Sequence, residues 1–179
     1  MAEIIKTYMQ SVGALRFIGK KYDNANRTNG TFRVKAKWNE WFENGWFDTI
    51  KRQMNESHVD NCAYIGLLQN EPGSPFRYWI GMFTPEKTEV PTGFEYVDFP
   101  KSELGVCRVH GKADDVYMNE GISILEQCYD KLKEEGMNHV HDKFDICWAF
   151  ERYACPHFPI PDEKGNGVFE VCLFMKFHY

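Results

Sequence analysis

The sequence is poor in the features that direct a chain to nucleic acid, to a membrane or to a disulfide scaffold. It carries 21 basic against 26 acidic residues in 179, a formal net charge of −5, whereas phosphate binding needs a basic face. Its basic runs stop at pairs such as Lys20-Lys21 and Lys51-Arg52, so direct nucleic-acid binding is not expected. No apolar stretch approaches the roughly 18 residues of a membrane span. The opening Met1–Gln10 lacks the charged, apolar and small-residue blocks of a signal peptide. A cytoplasmic protein with no membrane partner is the expectation.

CxxC is missing too. Of the six cysteines, Cys62, Cys107, Cys147 and Cys172 sit inside apolar strand-like runs and Cys128 falls on a helix. They read as buried free thiols acting as small hydrophobes rather than as disulfides. The pairs His139-x-His141 and Cys155-Pro-His157 match no zinc spacing, and no histidine is placed as a haem axial ligand. Neither metal nor cofactor is expected. Nucleophile elbow, phosphate loop, dinucleotide fingerprint and metalloprotease signature are all lacking.

Aromatic residues, by contrast, make up 16% of the chain. Trp38, Trp41, Phe42, Trp46, Ile50 and Met54 recur at helical spacing and predict a helix over about 36–54, interrupted at Gly45, where a small residue would allow close packing. A second helix is predicted over about 114–135. Asp114 and Asp115 would cap it; Met118, Ile122, Leu125, Tyr129 and Leu132 form its stripe, and Gly136 ends it. Each helix follows one strand-like run and precedes two. The result is strand–helix–strand–strand twice, as pseudo-repeats over about 12–85 and 100–179 within a single domain spanning 1–179. The bridge between them carries one extra extended segment, "GFEYVDF". The fold class expected is α+β, an antiparallel sheet with two helices on one face and a ligand cleft on the other.

Strand side chains alternate between faces, which sorts the candidate site residues. Phe169, Val171, Leu173, Met175, Phe177 and Tyr179 form one apolar row, assigned to the helix side. In the preceding strand, Phe144, Ile146, Trp148 and Phe150 form the apolar row, and Asp145, Cys147, Ala149, Glu151 and Tyr153 the alternate one. The triplets Tyr64-Ile65-Gly66 and Trp79-Ile80-Gly81 look alike. With both isoleucines toward the helices, Tyr64 and Trp79 would share the outer face with the absent side chains of Gly66 and Gly81. Large rings beside glycines make a concave surface suited to a small molecule. Ala149 adds a further small residue, Phe83 lies farther along the same strand as Trp79, and one of Trp38, Trp41 or Trp46 could line the edge.

Glu151 stands out because an isolated buried carboxylate is costly. It could pair with a ligand cation among ring faces. With its proton affinity raised by desolvation, it could instead serve as an acid or base. A plain salt bridge to Arg77, Arg108 or Arg152 is the alternative, Arg152 being the poorest candidate because adjacent strand residues point to opposite faces. His110 and His157 lack identifiable catalytic partners.

The segments "WNEWFENGWFDTI", "YIGLLQNEPGSPFRYWIGMF", "VPTGFEYVDFPKSELGVCRVHGK" and "FERYACPHFPIPDEKGN", in this order and spacing, resemble the GyrI-like, or AraC-type, effector-binding domains. That family includes the drug-binding domains of BmrR-like regulators and stand-alone, integron-associated effector-binding proteins. The resemblance implies a pseudo-symmetric fold with a central cleft for bulky, often cationic, aromatic compounds, held against a buried glutamate matched here by Glu151. It also implies two other functions found among such proteins. One is hydrolysis of cyclopropane-bearing DNA alkylators, with Glu151 as base and Tyr153 positioning water. The other is protein interaction, as in modulation of gyrase. The sequence starts almost at its first strand, leaving no room for a helix-turn-helix module, so direct transcriptional control is not expected. A stand-alone binder of hydrophobic, cationic small molecules is the leading expectation.

Overall fold

The computed structural model describes residues 2–23, 34–55, 63–112, 123–154 and 160–179. Among them the chain forms β1 (Glu3–Val12), β2 (Leu15–Asp23), α1 (Val34–Glu43), α2 (Trp46–Lys51), β3 (Tyr64–Asn70), β4 (Arg77–Pro85), β5 (Glu95–Phe99), β6 (Ser102–Gly111), α3 (Ile124–Glu134), β7 (Cys147–Tyr153) and β8 (Gly167–Phe177). The strands make one sheet in the order β1-β6-β8-β7-β3-β4-β2-β5, every pairing antiparallel. The fold is α+β, as expected. The order is symmetric about the β7–β3 pair: β6-β8-β7 on one side mirrors β2-β4-β3 on the other. The two outermost strands are exchanged, since β1 pairs with β6 and β5 with β2.

The sheet is strongly curled. Only Gly13 and Ala14 separate β1 from β2, strands six places apart. Three Cα steps reach about 11 Å, whereas a flat sheet would separate those strands by roughly 29 Å. Rings meet across the resulting hollow. Phe99 of β5 stacks on Phe174 of β8, five places away, with centroids 4.9 Å apart and planes at 10°. The inner face packs Phe17, Ile65, Leu67, Trp79, Trp148 and Phe150 around them. The outer face packs Ile18, Leu68, Ile80, Val109, Phe169, Val171 and Leu173 against the helices. Both faces are therefore apolar.

The first predicted helix is two. Gly45 takes the left-handed φ of 63° and N-caps α2; an L side chain there costs about 1–2 kcal/mol. A Cβ at Gly45 would meet nothing within 4 Å, so backbone conformation, not close packing, calls for the glycine. Phe42, expected on the apolar stripe, is 53% exposed, while Trp41 and Ile50 are fully buried. The described part of the second helix opens on a capping box formed by Ser123 and Glu126. The caps expected at Asp114 and Asp115, with Met118 and Ile122, lie outside the described residues. Ile124, Cys128 and Leu132 are buried along α3, and Leu125 and Tyr129 are partly so. Gly136, at φ 81°, follows its last turn, and Met137 N–H donates back to Leu132 O at 2.9 Å.

The strand β1 is not signalled by the sequence, because Ile5 and Met9 on it are exposed and blur the alternation. In β8, Phe169, Val171, Leu173 and Met175 do join the helix side. A bulge shifts the register so that Lys176 opposes Glu103 while Phe174 opposes Leu104, and Phe177 consequently packs inside on Phe174 at 5.0 Å. Cys107, Cys128, Cys147 and Cys172 are free thiols; Cys62 and Cys155 lie outside the described residues. Among the described residues no helix is long and apolar enough to cross a membrane.

Candidate functional site

The helices leave the middle of the outer face to side chains. Their backbones come nearest to β4 on one flank and to β1, β6 and β8 on the other, while β3 and β7 run between. In this middle strip Glu151 lies directly opposite Gly66, and Tyr153 opposite Tyr64. Glu151 has no solvent exposure. Its Oε2 accepts a hydrogen bond from Tyr78 Oη at 2.9 Å and another from Tyr153 Oη at 3.0 Å.

Gly66 makes the first of these possible. A Cβ on it would sit 2.7 Å from Glu151 Oε2 and closer still to Tyr78 Oη. Tyr78, two residues along β4 from the partner of Gly66, reaches diagonally over the glycine.

Rings enclose the carboxylate. Trp38 of α1 donates from Nε1 to Tyr78 Oη at 3.2 Å and stands edge-on to Tyr153 at 5.5 Å. Tyr153 also lies against Phe169 at 5.7 Å. Tyr64 stacks on Phe47 of α2 at 4.1 Å. Lys51 donates to Tyr64 Oη at 3.2 Å, its Nζ 5.0 Å from the ring centroid. From α3, Tyr129 feels the same site: burial, and then the charge of Glu151, push its phenol well above the usual range. A carboxylate and several aromatic rings are therefore brought together in one strip.

The grouping expected from sequence is corrected in part. Glu151, Tyr153, Ala149, Tyr64 and Gly66 share a face, but it is the face that carries the helices rather than the helix-free one expected. Trp79 and Phe83 are on the inner face, and Gly81, directly opposite Ile65, shares that side. The reason is register. Gly66 pairs with Ile80 and Ile65 with Gly81, so the two similar triplets are out of phase by one residue. Trp79 is occupied in donating to Gln69 Oε1 at 2.9 Å, and the space at Gly81 is taken by Phe17 and the Ile18 carbonyl. Trp46 stands edge-on to Trp41 at 5.5 Å with Lys20 over its ring, on the β2 flank.

The arginines offered as salt-bridge partners have acids elsewhere. Arg77 pairs with Asp23 and Glu71; Arg108 and Arg152 both pair with Glu170. His110 lies 4.0 Å from Glu3, and His157 is outside the described residues, as is the Cys155-Pro-His157 pair. His139 bonds the Trp148 carbonyl at 2.7 Å and His141 bonds Asp145. Among the described residues no group of three metal-ligating side chains occurs.

Sequence reasoning missed Tyr78, Phe47 and Tyr129. Only the glycine at 66 hinted that a large side chain from a neighbouring strand crosses it.

No family model and no curated protein sequence matches this chain. Solved structures do. The chain is similar to SAV2435, solved bound to tetraphenylphosphonium, with a TM-score of 0.66 and 15% identity over 96% of this chain and 94% of that one. It is similar to a protein of Staphylococcus aureus MU50 named for bacterial transcription regulation, at 0.61 and 15% over 95% and 97%. A third is the integron cassette protein VCH_CASS2 of Vibrio cholerae, at 0.54 and 9% over 97% of each. The chain has the α+β fold of these proteins.

Proposed function

We propose that the protein binds hydrophobic cations of small-molecule size at Glu151. The observation that carries this reading is a carboxylate without solvent exposure, held by the hydroxyls of Tyr78 and Tyr153 at the centre of an aromatic strip. A delocalised organic cation loses little hydration on entering such a site and gains both Coulomb and ring-face attraction. Lys51 already uses Tyr64 this way at the margin. The similar protein solved with tetraphenylphosphonium has the same fold and supplies the probe. Because Glu151 is buried, entry requires side chains over it to move, and Trp38, bonded to Tyr78, is the first of them.

Tetraphenylphosphonium titrated into the protein should quench tryptophan fluorescence, and Glu151→Gln should weaken its binding at least tenfold. Unchanged affinity in a folded Glu151→Gln variant would overturn the role given to the carboxylate.

The 3.0 Å contact between Tyr153 and Glu151 favours a second reading, in which the pair directs water at an activated carbon of a cyclopropane-bearing alkylator. Mass spectrometry after incubation would then show substrate plus one water, absent with Glu151→Gln. Unaltered substrate with wild-type protein disposes of it.

A further inference from the structure

The hollow of the sheet contains a cavity on the face opposite Glu151. It has a volume of about 380 Å³, within the roughly 300–1,000 Å³ of small-molecule pockets. Its walls include Phe83, Phe99, Phe150 and Phe174, the β1–β2 turn at Gly13 and Ala14 closes one side, and Arg152 lines it.

Arg152 is the residue after Glu151, and β-strand alternation sends the two side chains through opposite faces. Burial of a guanidinium at such a place needs compensation, and Glu170 on β8 provides part of it. Glu170 is 1% exposed and divides its oxygens: Oε1 meets Arg108 at 2.7 Å and Oε2 meets Arg152 at 2.6 Å. Tyr8 also donates to Oε1, at 2.6 Å, and its phenol is pushed up to about 12 by burial and by that bond. One carboxylate shared by two guanidiniums leaves Arg152 incompletely neutralised. Its Nε bonds Glu170 and its Nη2 bonds Gln10, while Nη1 makes no hydrogen bond among the described residues. The guanidinium carbon lies 6.0 Å from the ring centroid of Phe150, itself a wall of the cavity. The other charged lining residue, Glu86, is exposed at the rim, where water screens it.

From these positions we infer a second binding site, of opposite charge preference to the first: the cavity takes an amphipathic anion, a carboxylate on an alkyl or arylalkyl body. The apolar body lies against the four phenylalanines, and the carboxylate bonds Nη1 of Arg152, a charge-assisted contact of the stronger kind. This site goes beyond the function proposed above and does not depend on it.

Decanoate, decanol and decyltrimethylammonium titrated into the full chain by calorimetry test the inference. Decanoate should bind, decanol at least tenfold more weakly, and decyltrimethylammonium, whatever it does at Glu151, should not displace decanoate. Arg152→Gln should bring decanoate down to the affinity of decanol. Since that variant also strips Glu170 of a partner, Ala14→Trp, remote from the ion cluster, provides the second arm: an indole at the turn fills the cavity and should abolish decanoate binding. The inference is overturned if wild-type protein does not bind decanoate, if decanol binds as tightly, if decyltrimethylammonium displaces bound decanoate, or if decanoate binding survives in folded Ala14→Trp. Tetraphenylphosphonium titrated into Ala14→Trp reads the Glu151 site separately, so failure of one site is distinguishable from failure of the other.

Discussion

Glu151 and Gly66 face each other across β7 and β3, and the side chain that Gly66 lacks is the room in which Tyr78 bonds Glu151. A methyl group at 66 must displace either the phenol or the carboxylate. Gly66→Ala should cost about 1–3 kcal/mol of stability, as overpacking does, and should weaken tetraphenylphosphonium binding in parallel. Urea unfolding and fluorescence titration measure the two effects. Gly45→Ala, where the problem is backbone conformation alone, should lower stability without touching the binding.

The stack of Phe99 on Phe174 joins strands that a flat sheet would keep far apart. Phe99 also stands edge-on to Trp148 at 5.3 Å. Phe99→Ala should destabilise by about 3–5 kcal/mol, the range for a buried phenylalanine. Urea unfolding followed by tryptophan fluorescence gives the value; a loss under about 1 kcal/mol would mean that the curl is held elsewhere.

Removal of Glu170 leaves two guanidiniums facing each other. Glu170→Gln should cost about 3–5 kcal/mol, as breaking a buried pair does. The two arginines should rank by exposure: the Arg108 side chain is 35% exposed against 18% for Arg152, so water replaces more of what Arg108→Gln loses. Arg152→Gln should therefore be the more damaging of the two in thermal or urea unfolding.

His139 sets an acid response. Burial lowers its affinity for a proton. The acceptor at Trp148 O fixes the ring proton on Nε2, since a carbonyl cannot donate. In the unfolded chain the imidazole takes a proton at about pH 6.5; in the folded chain it does so lower. Between those points the unfolded state binds more protons, so stability falls as pH falls, by less than about 1.4 kcal/mol per unit. Urea midpoints measured from neutral pH downward should show this slope. His139→Gln, which keeps a donor for the carbonyl, should reduce it.

Apart from β1 and the break between α1 and α2, the order of strands and helices was legible because turns, glycines and apolar periodicity mark element ends locally. Glu151 was legible for the same local reason, a carboxylate amid a buried run. The face it occupies was not. Alternation identifies a core face only when the other face meets water, and here Trp148 and Phe150 line the hollow while Ala149 and Glu151 lie on the face that carries the helices. Tyr64 and Trp79 look equivalent along the chain, yet a register offset of one residue, decided between strands, separates them. The bulge that turns Phe177 inward is likewise a property of the pair β6–β8 rather than of either segment. Strand geometry rightly disfavours Arg152 as a partner for Glu151, but the acid that claims it, Glu170, is its neighbour only across the ladder.

The exchange of the outermost strands carries a consequence for assembly. β1 has β6 as its ladder partner and β5 has β2, so severing the polypeptide between β4 and β5 yields two fragments, each holding a strand whose mate went with the other piece. Neither fragment can complete its ladder by itself, and mixing them should restore what each lacks. Two intact copies can trade fragments by the same geometry, which makes the connection over residues 86–94 the hinge at which an entwined dimer would form.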